Sequence, residues 1–182
     1  MQPFMKSRTI KYTTVIVLTI SLIIAAVPSL VCAYTLSGYS WDDVTPLKYK
    51  KDSGMSAASS TAWSSSVSDW QPSDANFQLD SSNYEVYLSD TYNSGIGWDG
   101  ITVLTTSGTT ILSASAYLNT YYTSSYAVTQ RRSVSGHELG HVLGLDEHSG
   151  WVLMEPSTYN RWHLYYIYTP TQDDFNGVNS MY

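Results

Sequence analysis

Residues His137 to His148 read HELGHVLGLDEH and hold three of the chain's four histidines. His137 and His141 are four residues apart. A helix places such a pair on one face, one turn from each other. Two imidazoles so placed can share one zinc ion at about 2.0–2.1 Å. Glu138 follows the first histidine, where a carboxylate can face a metal-bound water without ligating the metal. Gly144 comes three residues after His141. Glycine takes the left-handed backbone at little steric cost, so the helix ends there and the chain turns back. His148 lies just beyond that turn. Surface histidines on an ordinary helix would explain His137 and His141 alone, but not the pair together with Glu138, Gly144 and His148.

The chain is 182 residues long, 43% hydrophobic and 13% charged, which suits one globular domain preceded by a targeting segment. Residues 1–33 have the form of a secretory signal peptide. Lys6, Arg8 and Lys11 make a positive start, Val15 to Val27 is an apolar run, and Ala33 precedes a cleavage point before Tyr34. An uncleaved membrane anchor is the alternative, since the run is nearly long enough to span a bilayer. Cys32 is the only cysteine and would leave with the signal, so residues 34–182 hold no disulfide. They keep all 15 acidic residues and six of the nine basic ones, a net charge of −9. That charge excludes nucleic acid and an anionic membrane surface as partners. A secreted monomer is expected. The 16 Tyr and 6 Trp, against 3 Phe, suit half-exposed sheets and polymer-binding clefts alike.

Tyr34 to Trp41 reads as a lead-in to a first strand near Leu47 to Lys50. Met55, Ala58, Ala62, Trp63 and Val67 form a helical stripe within Met55 to Trp70, ended by Pro72. A Ser-rich linker is the alternative there. Phe77 to Leu79, Tyr84 to Leu88, Ile101 to Thr106 and Ile111 to Tyr122 alternate as strands. Between them Gly95 to Gly100 reads as a turn. Its glycines and Asp99 suggest calcium, but the spacing is unlike a regular calcium loop, so a structural Ca2+ has no support. The helix carrying the motif starts near Thr129 to Ser133. Arg131 and Arg132 read as its solvated start, and His163 as a surface residue.

HELGHVLG, at His137 to Gly144, resembles the zinc-binding helix of the metzincin metalloproteases. Val152-Leu153-Met154-Glu155-Pro156 is similar to their Met-turn, in which Met154 lies under the metal site. Asp173 to Val178 is similar to the start of the C-terminal helix in matrixins, and Tyr34 to Trp41 to the first segment of secreted bacterial matrixin-like proteins. The resemblance implies an α+β zincin fold over residues 34–182: a mixed twisted sheet with two main helices, an active-site helix, a Met-turn and a small C-terminal subdomain. It also implies a zinc-dependent endopeptidase with Glu138 as general base, acting on an extended peptide or protein. The family spacing H-E-x-x-H-x-x-G-x-x-H puts Glu147 where the third histidine belongs.

The third ligand is therefore open among Asp146, Glu147 and His148. His148 is preferred, because three neutral imidazoles leave the ion its full charge and a bulge after Gly144 can absorb one residue. Glu147 has the spacing and an accepted ligand chemistry. The strand Ile111 to Tyr122 is expected to be the sheet edge that pairs with a peptide. Ser157 to Tyr168 is expected to wall the primed side, its aromatics (Tyr159, Trp162, Tyr165, Tyr166) serving equally well as lining or as packing. A secreted binding protein of this fold without catalysis is the second reading, favoured by the displaced histidine and opposed by Glu138. N-terminal sequencing of the secreted protein should begin at Tyr34. Recovery only in membranes, with Met1 still attached, would overturn cleavage.

Overall fold

The structure, a computed structural model, describes residues 34–182; the signal-peptide assignment lies outside the described residues. Seven strands and four α-helices follow in the order β1 (Thr35–Leu36), β2 (Leu47–Lys51), α1 (Ala57–Trp70), β3 (Phe77–Leu79), β4 (Val86–Thr91), β5 (Gly100–Ser107), β6 (Thr110–Asn119), α2 (Thr120–Thr123), α3 (Val128–Val142), β7 (Leu145–Asp146) and α4 (Gln172–Asn179). A π-helical turn, Asn160–Leu164, precedes α4. This is a mixed α/β arrangement compatible with the expected α+β class. Among the described residues no helix is long and apolar enough to cross a membrane.

The main sheet has the order β3-β2-β4-β6-β5, with β5 antiparallel to β6 and every other neighbour parallel. Alternation along β6 buries Ala114, Ala116 and Leu118, the period of two that a half-covered strand requires, and Ile111 is buried beyond a register shift. Helix α1 begins at Ser56, whose hydroxyl accepts the Ser59 N–H at 3.1 Å, as a capping serine does. Its stripe Ala62, Trp63, Val67 and Trp70 is buried against the sheet and α3, so the Ser-rich linker is excluded.

Two expectations are corrected. Strand β6 is internal, between β4 and β5, and the edge nearest the motif is β5. The sequence shows no edge signal because both strands alternate alike, and only the antiparallel return of the chain through Gly108 decides which lies outside. Strand β6 also stops at Asn119 rather than Tyr122. The Asn119 side chain accepts the Tyr121 N–H at 3.2 Å and starts the short helix α2.

Buried tryptophans fix α3 in place. Trp70 Nε1 donates to Gly136 O at 2.9 Å and Trp41 Nε1 to Val142 O at 2.8 Å. Buried indoles need such an acceptor, so each bond orients the helix as well as filling space. Gly136 and Gly140, one turn apart on α3, leave room for the turn Val152–Met154. A Cβ on Gly140 would overlap Met154 Sδ, and one on Gly136 would lie 3.1 Å from Leu153 Cδ2. From the other side Asp174, in the first turn of α4, accepts the Leu153 N–H at 2.9 Å and the Met154 N–H at 3.2 Å. It also closes a capping box with Thr171. Asp174→Ala should therefore cost about 2–4 kcal/mol, because it leaves two buried N–H groups without acceptors. A change below about 0.5 kcal/mol in denaturant unfolding would show that Asp174 does not hold the turn.

Candidate metal centre

Helix α3 brings His137 and His141 to one face, and each ring is held from behind. His137 Nδ1 lies 2.9 Å from Leu153 O, in the turn below the helix, and His141 Nδ1 3.0 Å from Leu145 O, in β7. A carbonyl only accepts, so both Nδ1 atoms carry the proton and both Nε2 atoms present lone pairs. These Nε2 atoms are 3.1 Å apart. Two nitrogens about 2.0–2.1 Å from one tetrahedral ion would stand at nearly that separation. Burial lowers the pKa of His137 well below the usual imidazole range, helped by the Arg161 guanidinium and by His141. Burial also lowers His141. Both rings are thus neutral, the form a metal requires.

A carboxylate oxygen of Glu147 completes a group whose ligand atoms all lie within 4.8 Å of one another. Two histidines and a carboxylate suit a catalytic metal site with an open position, so the residues present fit a divalent ion. The preference for His148 as third member is not met by this arrangement. His148 Nδ1 is 3.3 Å from Thr35 Oγ1, and its N–H donates to Met154 O at 2.9 Å. The physical reason is register. Strand β7 pairs with β1, Leu145 with Leu36 and Asp146 with Thr35, and this holds the backbone extended. Successive side chains of extended backbone point to opposite sides. Just past the end of that strand, Glu147 stands with the histidines and His148 beside Thr35. Asp146 accepts the Glu147 N–H at 2.8 Å and stays outside the group. Gly144, at φ +94°, makes the preceding turn, and a Cβ there would collide with the Tyr39 carbonyl.

Glu138 is 5% exposed beside the pair. Burial pushes its pKa up to about 8, against the Thr102 hydroxyl, which lowers it. That hydroxyl stands 2.9 Å from both Glu138 Oε2 and Glu138 O. Gly100 lies against the same side chain, since a Cβ there would come within 2.5 Å of Glu138 Oε1. All these groups open on a cavity of about 660 Å³. Strand β5 forms one wall through Gly100, Ile101, Thr102 and Leu104. Tyr122, Tyr126, Pro156, Ser157, Thr158 and Arg161 close one end.

Met154 is buried against Gly140. The aromatics Tyr159, Trp162, Tyr165 and Tyr166 do not line the cavity. Instead Tyr165 stacks on Trp151 and Tyr159 tilts over the exposed His163. Arg131 is not solvated: it is 7% exposed, and its guanidinium donates to Thr123 O and Tyr126 O. Arg132 pairs with Asp69. No motif in the sequence points to Thr102 or Arg161, and Asp99 and Gly100 read there only as part of a turn. Only the glycine cluster at Gly95 to Gly100 hinted that a backbone approaches closely there.

No protein-family model and no curated protein sequence matches the chain. Metal titration of single alanine variants checks the third ligand. Glu147→Ala should lose zinc affinity by more than the roughly 10–100-fold typical of changes behind the ligands. His148→Ala should lose far less, and the reverse order would restore His148.

Proposed function

We propose that residues 34–182 form a secreted zinc-dependent endopeptidase of the metzincin type, matrixin-like. The observation that carries this reading is the convergence of His137 Nε2 and His141 Nε2 beside the buried Glu138, on a cavity walled by a free sheet edge. The resemblance of HELGHVLG, VLMEP and DDFNGV supports the family part of the proposal. When bound, zinc supplies a Lewis acid that polarises a carbonyl and brings the pKa of its water to about 7.

The chain's own residues do the rest. Glu138 takes the proton of the attacking water and returns it to the leaving amine. Thr102 keeps that carboxyl in one place, and Gly100 gives it room. An extended peptide lies along β5 as an added strand, so the substrate backbone pairs with the sheet before its side chains are sorted. Pro156 to Thr158 form the wall beyond the reacting bond.

Casein hydrolysis that a zinc chelator abolishes and added zinc restores tests the proposal. Fully zinc-loaded protein that leaves casein and gelatin intact would sink it. Glu138→Ala should keep its zinc and lose roughly 10²–10⁴ in turnover. Thr102→Val should lose turnover with little change in zinc content, and Thr102→Ser should recover most of it.

A further inference from the structure

Hydrolysis as described leaves the one arginine on the cavity wall without a task. Arg161 is 1% exposed and lines the cavity beside Thr158. A guanidinium stays charged, and a buried charge without a counter-charge is costly. Among the described residues the single ion pair within 4.0 Å is Arg132 with Asp69, so no carboxylate touches Arg161. Asp99, Glu138, Glu155 and Glu147 stand close enough to favour its charge through space, but none is in contact with it and each has other partners. Glu138 takes the Thr102 hydroxyl, Asp99 the Tyr126 hydroxyl at 3.0 Å, and Glu155 the Gly150 N–H at 2.8 Å, while Glu147 belongs to the metal group.

What Arg161 bonds is neutral: Ser133 Oγ at 3.3 Å, Thr158 Oγ1 at 2.8 Å and Glu155 O. His137 Nδ1, 3.2 Å away, already donates to Leu153 O and cannot accept. Three of the five N–H groups of the fork are thereby used. The other donors at this end are spent, since Tyr122 gives its hydroxyl proton to Ile96 O at 2.8 Å and Tyr126 gives its own to Asp99.

We propose that Arg161 takes a carboxylate of the substrate at this end of the cavity, making the enzyme selective for an acidic group on the primed side of the scissile bond. This inference rests on the peptidase reading above. A planar fork with free donors suits a carboxylate better than any neutral group. The carboxylate is either an Asp or Glu side chain or the free C-terminus of the peptide.

The test uses zinc-loaded protein and peptides that differ only in the residue after the scissile bond: Glu, Gln, Leu or Lys, each with a free and an amidated C-terminus. Cleavage of the Glu peptide roughly tenfold or more faster than its Gln and Leu counterparts, in kcat/KM, is expected if the side chain is the source. Cleavage confined to free-acid peptides near their end identifies the C-terminus instead. Either preference should collapse in Arg161→Met. Because that variant removes buried bonds, the same peptides are also titrated into Glu138→Ala, where the preferred acid should bind several-fold more tightly than its neutral match. Equal or better cleavage of the Gln, Leu or Lys peptides, with equal binding, overturns the carboxylate assignment and leaves the peptidase standing. No cleavage and no binding of any peptide overturns both.

Discussion

A carbonyl oxygen can only accept a hydrogen bond. His137 and His141 each meet one through Nδ1, so each is left with a bare Nε2 aimed at the same point. The two carbonyls come from different places, Leu153 in the turn under the helix and Leu145 in the short strand after it. The metal centre therefore depends less on helix α3 itself than on what is brought to it. The Leu153 carbonyl is where it is because Asp174 holds the N–H groups of the same turn, and because Gly136 and Gly140 let that turn approach. Leu145 is where it is because β1 pairs with it.

The cleft also concentrates groups that lower stability. Glu138 is buried and raised, His137 is buried and neutral, and Arg161 is buried with no carboxylate in contact. Each would be less costly in water. Their crowding around one cavity, in an interior that is otherwise mainly apolar, marks that cavity as a candidate functional site.

Much of the layout was legible in the sequence. The stripe through Ala62, Trp63 and Val67 has the period of a helix, and Ile111, Ala114, Ala116 and Leu118 fit a buried face. His137, Glu138 and His141 were legible because one helix turn relates them, and local spacing is what a sequence displays. What failed was set by distant partners. Ligand type favours His148 over Glu147, yet Glu147 is the one that stands with the histidines, just after a strand anchored to a segment over a hundred residues earlier. Strand β6 lies inside the sheet, and alternation cannot distinguish an inner strand from an outer one. Thr102 and Arg161 had no motif at all. Their roles come from what the tertiary fold sets beside them.

The pairing of β1 with β7 has a consequence for the order of events in the life of the protein. Thr35 and Leu36, together with the Ser37 bonds to Gly144 O, come from the first described residues, while Asp174 comes from the last helix. Both are needed to set the carbonyls behind the histidines. A chain still being synthesised or threaded through a pore has one end without the other. It can form the helix with its HELGH motif and still lack a shaped metal cleft. The topology thus imposes an order: the cleft takes its shape only once the last helix has docked.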